Sequence, residues 1–149
     1  QRLNVEIISE NIGDTPIKTS GALHTYLAVN ETHQCRLEGL AGARYLDKLR
    51  DFAESEQQGT LAIRGPVDRI YHTNEAVLLN DGQRTLRIGK QSSDSTVVWN
   101  PGPDKAARLS DFPATEWPRM LCVETANAAS DYRVLNTGQS HTLGVLIGR

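Results

Sequence analysis

Glu124 closes the short apolar run Met120 to Val123, and His24 sits between Leu23 and Tyr26 in a second apolar stretch, Ser20 to Val29. A carboxylate and an imidazole can both exchange protons near neutral pH, so the two suggest general acid/base work. A carboxylate flanked by Cys122, Val123 and Ala126 is costly to bury unpaired, so Glu124 either faces solvent or has a defined task. Burial drives a histidine toward neutrality and a neighbouring carboxylate drives it toward the cation. His24 is therefore a proton donor or acceptor, or a core histidine satisfied by its neighbours. Asp68, in Pro66-Val-Asp-Arg-Ile-Tyr71, is a third candidate: it lines a pocket, or it caps the turn after Gly65-Pro66. On a regular strand Asp68 and Arg69 point to opposite faces, so only one of them enters a given pocket. Trp99 and Trp117 stand among Pro101, Pro103, Pro113 and Pro118. They serve as sugar-stacking platforms or as core packing.

Other chemistries find no support. His33, His72 and His141 lack zinc-site spacing, so no metal is expected. Gly39-Leu-Ala-Gly42 has no following Lys-Ser/Thr, and no Gly-x-Ser-x-Gly occurs, which removes the phosphate-loop and serine-elbow readings. Cys35 and Cys122 are expected as reduced, packed thiols in a cytoplasmic protein. A net charge of -2 gives no long-range pull toward nucleic acid or an anionic membrane, and neither partner is expected. No run reaches the roughly 20 apolar residues of a membrane helix. At 149 residues the chain fits one domain with a core of its own.

The elements that must position these residues read as strands. Leu3, Val5 and Ile7 alternate with polar neighbours as in a half-buried strand, which ends in Asn11-Ile-Gly-Asp-Thr-Pro16. Ser20 to Val29 and Cys35 to Leu40 read as extended, with a bend at Gly39 to Gly42. Asp51 to Gly59 reads as a surface loop or a single helical turn. Further strands are expected at Thr60 to Ile63, Val67 to Tyr71, Ala76 to Leu79, Arg84 to Ile88 and Thr96 to Trp99. Met120 to Ala126, Tyr132 to Leu135 and Thr142 to Ile147 complete the set. Asn80-Asp-Gly82 is a hairpin signal. One short helix is expected at Lys105 to Leu109, entered through Pro103 and Asp104. Many short strands with frequent turns argue for an all-β sandwich.

In order and spacing, several segments resemble the hexose-6-phosphate mutarotases (glucose-6-phosphate 1-epimerases) of the aldose 1-epimerase superfamily. They are Ala22-Leu-His-Thr-Tyr26, Gly39-Leu40, Tyr45-Leu-Asp-Lys48, Val67-Asp-Arg-Ile-Tyr71, Val98-Trp-Asn-Pro101, Lys105-Ala106, Ser110-Asp-Phe112 and Met120-Leu-Cys-Val-Glu124. The resemblance implies an all-β fold, part of a galactose-mutarotase-type sandwich (supersandwich) with the substrate on a concave sheet. Residues 1–149 are then its C-terminal portion, with the N-terminal half not present. It implies an isomerase that interconverts α and β anomers of an aldohexose 6-phosphate without cofactor. His24 is then the general acid at the ring oxygen, Glu124 the base at the anomeric hydroxyl, and Asp68 a hydrogen-bonding partner of a sugar hydroxyl. In the family the phosphate-gripping arginines come mainly from the N-terminal half, so that half or another chain is expected to complete the sheet. A mutarotase for free aldoses and a sugar-binding sandwich module without turnover are the rival readings.

Overall fold

The computed structural model describes residues 1–149. In chain order the strands are β1 (Arg2–Glu10), β2 (Ile17–Thr19), β3 (Gly21–Leu23), β4 (Tyr26–Ala28), β5 (Arg36–Glu38), β6 (Arg44–Asp47), β7 (Ala53–Glu56) and β8 (Leu61–Ala62). They continue with β9 (Val67–His72), β10 (Val77–Asn80), β11 (Thr85–Gln91), β12 (Ser95–Asn100), β13 (Met120–Asn127), β14 (Arg133–Leu135) and β15 (Ser140–Gly148). The one helix, α1, spans Gly102–Ala106. A six-stranded sheet runs β1-β15-β11-β10-β5-β8, and a seven-stranded sheet runs β3-β13-β12-β9-β6-β7 with β4 also on β13. The remaining strands, β2 and β14, pair with each other. Every pairing is antiparallel. The expected all-β sandwich is what forms. No helix is long and apolar enough to cross a membrane.

Strand periodicity sorts the side chains. Leu37, Leu79, Ile88 and Val145 of the smaller sheet meet Tyr71, Val98, Leu121 and Val123 of the larger one in a single buried cluster. Their neighbours of opposite parity, Ile70, Val97 and Ala126, form a second, smaller apolar patch on the outer face of the larger sheet. The alternation thus gives β13 two apolar faces, and all eight of its residues are buried.

Four expectations are corrected. The helix lies earlier than Lys105 to Leu109, because Asn100 sets the turn before it. The Asn100 side chain accepts from Gly102 N at 2.9 Å and donates to Trp117 O and Met120 O at 2.8 Å each. Gly102 turns the chain with φ of 64°, and Pro103 follows inside the first turn, where no backbone donor is required. Ala53–Glu56, placed in a loop or helical turn, is an edge strand pairing only with β6. Its Ala-Glu-Ser-Glu sequence is polar because only one edge is bonded and little of it is buried. Ser20 to Val29 is not one strand: it breaks at His24 and Thr25 into β3 and β4. β1 has the expected alternation but is not half-buried. Leu3, Val5, Ile7 and Ile8 are all exposed, because β1 pairs only with β15 and nothing in this chain covers its faces.

Gly39 bends the chain after β5 with φ of 91°, and a Cβ there would lie 2.2 Å from the carbonyl oxygen of Ala76. Gly39→Ala is expected to destabilise the fold by roughly 2–4 kcal/mol, combining a left-handed alanine with a backbone clash. A urea midpoint indistinguishable from that of the parent protein would show that the loop relaxes freely.

Candidate active site

The outer face of the larger sheet collects the chemistry. On β13, Leu121 and Val123 point into the core, so Cys122 and Glu124 share the outer face. The cross-strand register sets Trp99 directly opposite both Cys122 and Asp68, and Val97 opposite both Glu124 and Ile70. Asp68, Trp99 and Cys122 therefore form one row across three strands, and Ile70, Val97 and Glu124 the next.

His24 reaches this face because the strand beside β13 is interrupted. β3 pairs with Thr125 to Asn127 and β4 with Met120 to Cys122, leaving His24 and Thr25 alongside Val123 and Glu124. Thr25 N donates back to Leu23 O at 2.9 Å, which kinks the chain at the break. The kink carries the imidazole to Glu124: His24 Nε2 lies 3.2 Å from Glu124 Oε1. Tyr26 stacks on the imidazole at a centroid distance of 4.8 Å, and Trp99 meets it edge-on at 5.8 Å. His24 is 48% exposed at its side chain, whereas Glu124 is 5% exposed. One partner of the pair is open to a ligand and the other is shielded from water.

Burial dominates the electrostatics of Glu124. It pushes the carboxyl from an ordinary 4.5 up to about 7, with Lys48 opposing the shift and Asp68 adding to it. Its proton affinity is thereby set near neutrality, where a group both takes and returns a proton readily. Cys122 Sγ lies 3.7 Å from His24 Nδ1, and burial, with the Glu124 charge adding, holds its thiol far above the usual range. His24, Cys122 and Glu124 bring one donor atom each within 4.8 Å of one another, the spacing of a possible metal site. A metal needs the thiolate, and this setting strongly favours the thiol.

Asp68 is buried at 6% exposure, so it is not a turn cap at the surface. The expected division of faces holds: Asp68 turns to the outer face, while Arg69 pairs with Asp47 at 3.3 Å and lies over the Tyr45 ring. Lys48 Nζ lies 2.9 Å from Asp68 Oδ1 and Lys105 Nζ 3.9 Å from Oδ2. The Lys48 contact is an ion pair without hydrogen-bond alignment, so Oδ1 remains a buried acceptor with no donor. Lys48 enters from a single turn after β6, where Asp47 Oδ1 accepts from Leu49 N at 3.1 Å. Lys105 enters from α1.

The structure brings His24, Glu124 and Asp68 to one face and places Trp99 between them. Trp117 lies outside this group, in the turn that Asn100 anchors. Sequence reasoning gave no role to Tyr26, Cys122, Lys48 or Lys105. Strand parity from Glu124 points to Cys122, but nothing local links Lys48 with Lys105.

Comparison with known proteins agrees with this architecture. A protein of Cenchrus ciliaris provisionally named glucose-6-phosphate 1-epimerase is 32% identical over 128 residues, covering 83% of this chain and 39% of its own length. A protein of Escherichia coli K12 with the same provisional name is 31% identical over 140 residues, covering 91% of this chain and 47% of its own. The crystal structure of a provisionally assigned mutarotase from Salmonella typhimurium superposes with a TM-score of 0.84 at 26% identity, over 97% of this chain and 49% of that one. The chain thus spans about half the length, or less, of these relatives. The sequence profile of the aldose 1-epimerase family matches residues 1–148, and the chain belongs to that family.

Proposed function

We propose that this site interconverts the α and β anomers of an aldohexose 6-phosphate, such as glucose 6-phosphate, by general acid/base ring opening. The observation that carries the reading is the 3.2 Å contact between His24 and Glu124 on an accessible sheet face. Ionised Glu124 takes the proton of the anomeric hydroxyl. The C1–O5 bond breaks as its electron pair moves to O5, which takes a proton from the His24 imidazolium. The open aldehyde turns about C1–C2. Closure from the other face returns one proton to His24 and releases one from Glu124, so no net proton or electron is exchanged with solvent. Asp68, on the far side of Trp99, accepts a hydrogen bond from a ring hydroxyl and fixes the ring for both transfers. The chemistry needs no cofactor.

The phosphate rests on the names of the related proteins, and its contacts are assigned to chain beyond these 149 residues. The 149 residues form the C-terminal portion of the complete sandwich, and the exposed apolar faces of β1 are where further chain covers it. Two buried free thiols, Cys35 and Cys122, suit a reducing, cytoplasmic setting.

Exchange spectroscopy on glucose 6-phosphate with the full-length protein tests the reading. His24→Ala is expected to slow anomer exchange by about 10² to 10⁴-fold, the usual worth of a positioned proton-transfer group. Exchange at the parent rate would remove His24 from the mechanism. A faster rate on glucose than on its phosphate would favour the free-aldose reading, and sugar binding without accelerated exchange the binding module.

A further inference from the structure

Asp68 carries a feature that the proton transfers do not use. Its carboxylate is buried, one oxygen has no hydrogen-bond donor, and two ammonium groups stand beside it from separate elements. Lys48 and Lys105 are only partly covered, with side chains 37% and 46% exposed. Lys105 Nζ also sits 5.5 Å from the centre of the Trp99 ring. Buried acceptors without donors are uncommon, because each costs roughly 1–3 kcal/mol in lost hydration. The other oxygen, Oδ2, is open at the wall of the face with both cations nearby, and it suits a ligand that both donates and accepts.

A hydroxyl group does both, while a phosphate at neutral pH presents mainly acceptors. The row Asp68, Trp99, Cys122 adds a distance argument. Adjacent strands lie about 4.8 Å apart, so Asp68 and Cys122 are separated by roughly 10 Å of backbone with Trp99 between. One sugar ring over Trp99 therefore places its anomeric end at the His24–Glu124 pair and its opposite hydroxyls at Asp68.

We propose that Lys48, Lys105 and Asp68 form a hydroxyl clamp for two neighbouring hydroxyls of the sugar ring. One hydroxyl donates to Asp68 Oδ2 and accepts from Lys105. The next accepts from Lys48, whose ammonium covers Oδ1 at 2.9 Å. The lysines are then specificity-determining residues that select sugars with hydroxyls at both positions. The inference rests on the reading that this face binds an aldose.

The test is calorimetric binding of glucose, glucose 6-phosphate and the 2-, 3- and 4-deoxy analogues of glucose 6-phosphate to the full-length protein, Lys48→Met and Lys105→Met. The parent protein is expected to bind at least one analogue about 10-fold more weakly than glucose 6-phosphate, the scale of one lost hydrogen bond to a charged group. Each lysine variant is expected to lose most of the penalty for one analogue while keeping the others. Full discrimination retained in both variants overturns the clamp. So does a loss that spares glucose and weakens only its phosphate, which would make the lysines phosphate ligands. A thermal midpoint is recorded for each variant. Should Lys48→Met not fold, Lys105→Met and Asp68→Asn carry the comparison on the same analogues. If the parent protein binds no aldose, the clamp and the proposed function both fall. Binding with unaltered discrimination in the variants removes the clamp alone.

Discussion

Glu124→Gln is expected to abolish most anomer exchange while making the protein more stable above neutral pH. The activity loss follows from removing the base: an amide cannot take the anomeric proton, and about 10² to 10⁴-fold in rate is lost. The stability gain follows from linkage. Burial raises the Glu124 carboxyl from 4.5 to about 7, so between those values the folded protein keeps a proton that the unfolded chain releases. Native stability therefore falls as pH rises through this window, and above about 7 the fold carries the full cost of a buried carboxylate. Glutamine carries none of it. The stability difference between variant and parent should be near zero below pH 4.5, grow through the window and level off above 7. At the plateau it is on the order of 2 kcal/mol, reduced from the bare shift because Lys48 and His24 relax around the charge. Urea denaturation across pH measures it. A variant as stable as the parent at every pH would mean that Glu124 is solvated in solution. The same titration sets the acid limb of activity in the parent protein, which should fall as pH drops below about 7.

Asp131→Ala is expected to cost about 3 kcal/mol, the larger stability effect. Asp131 has a side chain 4% exposed and pairs with Arg133 at 2.9 Å through Oδ1. Its Oδ2 accepts from Asp94 N at 2.8 Å and from Ser95 Oγ and Asn127 Nδ2 at 3.1 Å each. Alanine removes every one of these acceptors. The single Ser95 hydroxyl proton turns to Ala126 O and Asn127 keeps its bond to Ser92 O, but Asp94 N loses its partner and Arg133 its closest carboxylate. The network joins the start of β12 to the end of β13, so it holds the strands that carry Trp99 and Glu124 in register. Asp131→Asn keeps an acceptor and should cost about 1 kcal/mol. A urea midpoint for Asp131→Ala within about 0.5 kcal/mol of the parent would place the register in the apolar contacts alone.

The strands of the buried cluster were legible in the sequence, and the polar edge strand was not. Val67 to Tyr71, Thr96 to Trp99 and Met120 to Ala126 announce themselves because burial demands apolar residues at fixed parity. Ala53–Glu56 carries no such mark, since an edge strand is held by backbone hydrogen bonds that leave no trace in side-chain type. The kink at His24 and Thr25 was hidden for a related reason. Leu23 and Tyr26 suit a strand, and the break is visible only where β3 and β4 meet the same neighbour. Asp131 carries no local sign of its network, because its partners Ser95 and Asn127 lie on β12 and β13.

By itself, the sequence determined the all-β class, the hairpin at Asn80-Asp-Gly82 and the residue types able to move protons. These depend on local periodicity and on intrinsic chemistry, which survive without a partner. Only the tertiary structure decided that His24 stands 3.2 Å from Glu124, that the glutamate is buried enough to titrate near 7, and that Lys48 and Lys105 converge on Asp68. Distance, desolvation and charge coupling belong to pairs of residues from different strands. They come into being when the register of the sheet is set.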